Sequence, residues 1–264
     1  MSLIGDLLGG AGIGLASGFS SGLLGISPGG GLVIFAVLLF GADQHVAQGT
    51  SLVAQAPPTG LAGIRRYWAN GNRAPARWIA WLALGFLIGA VGGGLAAAGV
   101  SAAVLQWAYV VYLSALNALL ILRSPRGDAA ADQGQPSAPS AALSGAALLL
   151  VGFVAGFSSG FMGIGGGLAI TVGLVAVLKV PQHQAQMVSL IFSLVPMTVP
   201  AAWIYWHNGW LVGWPALIAI LAGLWLGTDL GARLANRVEK ATLRSILIVF
   251  VSLMTLYMAF KAIS

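Results

Sequence analysis

The chain has 264 residues, 58% of them hydrophobic and only 7% charged. An average soluble domain is about 25% charged. Twelve basic and six acidic side chains cannot cover a 27 kDa globule, and the mean hydropathy of +0.92 points the same way. With no cysteine, disulfides and thiolate metal sites are excluded. The net charge of +6 does not indicate nucleic acid, because the basic residues sit in short loops between apolar runs, as orientation signals of membrane proteins do. The lipid bilayer is the expected partner, with a homo-oligomer left open. No cofactor and no metal are expected.

Met1 to Gly10 has no basic n-region and reads as the start of a span. A spanning helix needs roughly 20 mostly apolar residues. The chain offers such stretches at about 3–24, 45–64, 78–98, 101–122, 141–162, 183–206, 211–232 and 243–262. Shorter apolar runs at 30–42 and 166–179 each follow a glycine cluster and read as half-helices, re-entrant segments or tilted short spans. The expected fold is therefore an all-α integral membrane protein with eight to ten segments. Pro57-Pro58, Pro196 and Pro200 should kink or break their helices. Residues 124–140 are polar and rich in Pro, Ala, Ser and Gly, and read as a flexible linker. They divide a first transmembrane repeat, 1–123, from a second, 141–264.

The two halves repeat each other. Gly18-Phe19-Ser20-Ser21-Gly22 recurs as Gly156-Phe157-Ser158-Ser159-Gly160. Gln44-His45, Ala47-Gln48 and Ser51-Leu52 recur as Gln182-His183, Ala185-Gln186 and Ser189-Leu190. Gly85, Gly89 and Gly93 recur as Gly223, Gly227 and Gly231. The offset is 138 throughout, apart from a two-residue slip that aligns Gly29-Gly30-Gly31 with Gly165-Gly166-Gly167. Charge moves between equivalent loops. Arg65, Arg66, Arg73 and Arg77 of the first half face an uncharged counterpart, whereas Arg233, Arg237, Lys240 and Arg244 answer an uncharged loop at 96–103. Equivalent loops then lie on opposite sides of the membrane, which means inverted repeats. With basic loops inside, the linker is cytoplasmic and both termini are outside.

Inverted repeats place sites at their interface, where broken helices offer free N–H groups to an anion. Ser27, Gly29, Gly30 and Gly31, with Gly165, Gly166 and Gly167, fit that role, and each cluster follows a Ser-Ser-Gly: Ser20-Ser21 and Ser158-Ser159. The plainer reading is close helix packing through small residues. His45, Gln48 and Ser51 lie at i, i+3 and i+6 of a helix, and His183, Gln186 and Ser189 repeat them. Polar side chains inside a membrane commonly face a cavity. They suit ligand binding, with His45 or His183 as proton carrier, or they are helix-start histidines and inter-helix hydrogen bonds. Asp229 could couple protons or simply pair with Arg233 one turn onward.

Enzyme readings lack their parts. Ser20 and Ser158 each sit in G-x-S-x-G, but in an apolar helix rather than the strand–turn–helix a nucleophile elbow needs. No carboxylate pair occurs in the apolar runs, which also disfavours cation transport. A passive anion channel and an intramembrane serine hydrolase remain the alternatives to a carrier, in that order.

The duplicated GFSSGLLGISPGGGL and GFSSGFMGIGGGL, each followed by a short apolar run and a polar-speckled helix, resemble the sulfite exporter TauE/SafE family. The resemblance covers nearly the whole chain outside the linker. It implies a permease of the bacterial inner membrane that moves small sulfur-containing anions such as sulfite or organosulfonates. The first cluster departs from the second by its inserted Ser27-Pro28.

Overall fold

The computed structural model describes residues 3–24, 27–57, 75–122, 143–178, 180, 182–194, 196–235, 238 and 240–263. The proposed linker and Arg65, Arg66 and Arg73 lie outside them. The described residues form helices without strands. The first half contains α1 (Leu3–Leu24), α2 (Gly29–Phe40), α3 (Gln44–Ala54), α4 (Ala76–Ala98) and α5 (Ala102–Leu122). The second contains α6 (Gly145–Met162), α7 (Gly167–Val172), a π-helical turn (Gly173–Val177), α8 (Gln182–Leu194), α9 (Val199–His207), α10 (Trp214–Ala235) and α11 (Lys240–Ile263).

Among the described residues, α1, α4, α6 and α10 are long and apolar enough to cross a membrane alone. Their outer faces are hydrophobic: Ile4 is 69% exposed, Trp225 64% and Leu226 63%. Gln44, Gln48, Thr50 and Ser51 lie within 2% of full burial. Apolar outside and polar within is the arrangement that lipid, not water, selects. Trp206 and Trp214 contact each other edge to face at the facing ends of α9 and α10, beside exposed Trp203. Such a cluster suits the membrane–water boundary.

The short runs are short helices, as read. Helix α2 has 12 residues between Pro28 and the left-handed Gly41, about 18 Å of helix against a hydrocarbon core of roughly 30 Å. Two expected spans are corrected. The stretch 45–64 is not one continuous helix: α3 ends at Ala54, and the described residues 55–57 turn out of it at Gln55, ahead of Pro57. The stretch 183–206 is two helices, because the turn at 196–198, opened by Pro196, parts α8 from α9. Both breaks follow from proline's missing N–H and the restriction it puts on the preceding residue.

Packing crosses between the halves. Helix α1 lies along α10, and α4 lies along α6. The repeated glycines make these contacts. Gly14 and Gly18 abut the backbone of Ile220 and Leu224, and Gly223, Gly227 and Gly231 abut that of Ala11, Leu15 and Phe19. On the other side, Gly85, Gly89 and Gly93 abut Leu149, Phe153 and Phe157, while Gly152, Gly156 and Gly160 abut Leu82, Phe86 and Ala90. Without side chains between them the helices touch backbone to backbone, which lipid-embedded helices use in place of a hydrophobic drive. Each half therefore holds the other by the same glycine stripe. Helices α5 and α11 also pack together, joined by Asn117 Nδ2 donating to Ser252 Oγ at 2.8 Å.

Candidate functional site

The two glycine breaks meet. At Gly29, the first residue of α2, a Cβ would collide with the Ile164 carbonyl and the Gln55 amide, so the first break touches the second through backbone. Three side chains fasten the contact. Ser51 has one hydroxyl proton; it donates to the Gly163 carbonyl at 2.6 Å and lies 3.2 Å from the Gly29 carbonyl. Ser27 Oγ stands 3.0 Å from Gln55 Oε1 and 3.1 Å from the Ile164 carbonyl. The Gln55 amide reaches Ser51 Oγ at 3.0 Å and the Gly163 carbonyl at 3.3 Å. Gly163 closes α6 with φ +70° and Gly165 follows at +82°, conformations that glycine alone adopts freely.

The second half repeats part of this. Ser189 Oγ donates to the Gly167 carbonyl at 2.9 Å, as Ser51 approaches that of Gly29. Gly29 and Gly167 are also the first residues of α2 and α7. They stand 138 apart. The two-residue slip of the sequence alignment is therefore corrected: the halves register on the helix starts, and the extra glycines belong to different parts of the two breaks. Gly166 has a packing role, since a Cβ there would strike the Phe86 ring. At Gly30 a Cβ would meet only the Tyr109 hydroxyl, at 3.6 Å.

Helix α3 is the polar-speckled helix, and its polar groups are engaged by the other half. Tyr205 of α9 places its hydroxyl 3.0 Å from Gln48 Oε1 and 3.1 Å from the Gly160 carbonyl, in the last turn of α6. Thr198 donates to the Leu52 carbonyl at 3.2 Å, and Thr50 Oγ1 accepts the Val212 N–H at 3.1 Å. Among the described residues, Gln48 Nε2 is buried without a partner. Replacing Tyr205 by phenylalanine is expected to lower stability by about 1–2 kcal/mol, because it removes the one hydroxyl proton that lies between two buried acceptors. Thermal unfolding of the detergent-purified protein reads this directly.

His45 sits in the first turn of α3, at the cap made by Asp43 Oδ1 accepting the His45 backbone N–H at 2.9 Å. Its Nε2 lies 3.0 Å from the Ala97 carbonyl at the end of α4, and its Nδ1 lies 3.2 Å from Asp43 Oδ1. Both neighbours are acceptors, so the ring bonds both only when it carries two protons. Trp210 lies against it at 4.3 Å between ring centroids. This is a helix-start position, one of the two places the sequence reading left open for it.

The remaining candidates lie apart or outside the description. Ser20 and Ser158 turn back on the carbonyls of Ala16 and Val154, at 2.7 and 2.8 Å, in mid-helix. Ser159 is buried. Ser21 has a partner. The side chains of His183 and Gln186 fall outside the described residues, although α8 carries their backbone. Asp229 pairs with Arg233 at 2.7 Å, both exposed, so its surroundings are those of a helix-end ion pair rather than a buried proton carrier. The sequence reading passed over Tyr109, whose hydroxyl donates to the Gly30 carbonyl at 2.8 Å, and Tyr205. The available signal was a hydroxyl-bearing aromatic inside an apolar run.

Broken helices that meet inside an apolar shell, braced by buried hydroxyls and amides, are the construction of a multi-pass membrane transporter. A family model described as Sulfite exporter TauE/SafE matches residues 10–258, and the chain belongs to that family. It is 28% identical over 241 residues to the "Probable membrane transporter protein YdhB" of Bacillus subtilis (strain 168), covering 86% of this chain and 90% of that protein. No solved structure matches the chain.

Proposed function

We propose that this transporter moves small sulfur-containing anions, sulfite or an organosulfonate, across a bacterial inner membrane by alternating access between two inverted halves, most simply as an exporter. The observation that carries the proposal is the contact of the two glycine breaks. Around it lie first-turn N–H groups of α2, which have no acceptor within their own helix, and a helix end that favours negative charge. One such helix end contributes about 0.3–1 kcal/mol, up to about 2 kcal/mol when partly buried, which suits binding that must also release. The Ser27–Ile164 and Ser51–Gly163 hydrogen bonds hold the breaks shut in this state. Rocking one half against the other would exchange them, and this favours a carrier over a passive channel.

Saturable counterflow of sulfite or a sulfonate in proteoliposomes tests the reading; single-channel currents without saturation would support the channel instead. Among the described side chains, His45 is the one best placed to couple protons, since a second ring proton lets it tie Asp43 to the Ala97 carbonyl. An imposed pH gradient is expected to change the flux of the wild type. His45→Gln should keep the bond to Ala97 and lose that response. Equal responses of the two proteins would remove His45 from coupling.

A further inference from the structure

A cavity of about 40 Å³ lies where the two glycine breaks meet α5 and α11. Tyr112 and Leu113 of α5 face it, and so do Phe250 and Val251 of α11. Tyr112 and Phe250 stand 138 positions apart, as do Leu113 and Val251. Each pair therefore occupies equivalent positions of the repeat, and both halves build the cavity from matching places.

The match fails in one chemical respect. The first half contributes two hydroxyl-bearing residues to the lining, Tyr112 and Ser27. The equivalent positions of the second half hold Phe250 and Gly165. The Ser27 hydroxyl is engaged with Gln55 and Ile164, whereas the Tyr112 hydroxyl makes no hydrogen bond to another described residue. Gly30 and Gly31, in the first turn of α2, border the same space. The rest of the wall, including Ile34 and Met254, is hydrocarbon. One end thus offers the Tyr112 side chain, which makes no hydrogen bond to another described residue, beside a helix start, and the other offers nothing that could replace water around a charge.

We propose that this cavity holds the organic part of the substrate, and that the substrate is an amphiphilic anion: an alkanesulfonate or alkanecarboxylate with a short tail. The proposal rests on the anion-transport reading above. The head group accepts from Tyr112, and the tail lies against Leu113, Phe250 and Val251. The volume holds roughly three water-sized groups, which sets the tail at about two or three carbons. A tail-less anion such as sulfate would leave the apolar wall unfilled and would lose hydration without compensation there.

Counterflow in proteoliposomes of the full chain, using methane-, ethane- and propanesulfonate, butyrate, sulfite and sulfate, tests this. The half-saturating concentration is expected to fall about fourfold per added methylene from methane- to propanesulfonate. Tyr112→Phe, which copies the residue at the equivalent position, should raise it about tenfold for every tailed anion. Val251→Phe, which fills the cavity, should flatten the chain-length dependence. Comparing butyrate with propanesulfonate identifies the preferred head. The wild-type chain-length series carries the test even if a variant fails to fold. Sulfite and sulfate exchanged as well as propanesulfonate, with no dependence on chain length, would overturn the proposal while leaving anion transport standing. Exchange of none of these anions would instead remove the transport reading itself.

Discussion

Gly156→Leu is expected to leave little folded protein. The position a Cβ would take is occupied by the backbone of Phe86, so the added side chain must drive α6 away from α4. Overpacking typically costs about 1–3 kcal/mol when side chains can adjust. Here the obstacle is main chain, and the displaced stripe runs through Gly152 and Gly160 as well. The loss therefore reaches at least about 3 kcal/mol, a large share of the roughly 5–15 kcal/mol that a folded protein commonly has. Gly92→Ala is the control. It lies one residue from the stripe, and its Cβ would meet only a Phe157 ring carbon at 4.0 Å. That change should be neutral or stabilising by up to about 1 kcal/mol through helix propensity. Gel filtration and thermal unfolding in detergent separate the two. A monodisperse Gly156→Leu protein that melts with the wild type would refute the backbone-contact account.

Ser51→Ala is expected to reduce transport about tenfold or more while lowering stability by only about 1–2 kcal/mol. Among the described residues, Ser51 is the one side chain within hydrogen-bond distance of carbonyls in both breaks, those of Gly29 and Gly163. Removing its hydroxyl leaves a buried carbonyl short of a donor and frees the breaks to shift, and small misplacements in a binding constellation reduce rates steeply. Ser20→Ala and Ser158→Ala should change neither quantity appreciably, since each hydroxyl serves only its own helix. The same pair tests the serine-hydrolase alternative, which needs those hydroxyls. Flux and melting temperature measured on the three variants decide the matter. Equal flux for Ser51→Ala and wild type would mean that the breaks need no fastening.

Much of the architecture was legible in the sequence because membranes impose local rules. Run length marked α2 and α7 as too short to span; Pro196 marked a kink or break, yet 183–206, which divides into α8 and α9, reads as one span. The expected span at 45–64 failed because the apolar character continues past a helix that ends at Ala54. Composition records affinity for lipid; it does not record where hydrogen bonding stops. The duplicated glycines were read in two ways, and the structure divides them: Gly156 and Gly89 serve helix contact, Gly166 makes room for Phe86, and Gly30 borders the cavity. The polar residues of α3 were recognisable as buried, but their partners were not. Tyr205, Thr198 and Val212 lie about 150 residues away, and no periodicity along one helix reports a contact across the repeat. The unequal pair Tyr112 and Phe250 was present in the alignment of the halves, yet it carries meaning only once both face one cavity.

Gly30→Leu offers the most direct test of the central claim, that the anion passes where the glycine breaks meet. Gly30 is not pressed against backbone; a Cβ there would meet the Tyr109 hydroxyl at an ordinary distance, and a longer side chain would enter the cavity. Saturable anion counterflow should be lost in this variant while gel filtration and melting show a folded protein. Counterflow at the wild-type rate from folded Gly30→Leu protein would contradict the account and place the pathway elsewhere.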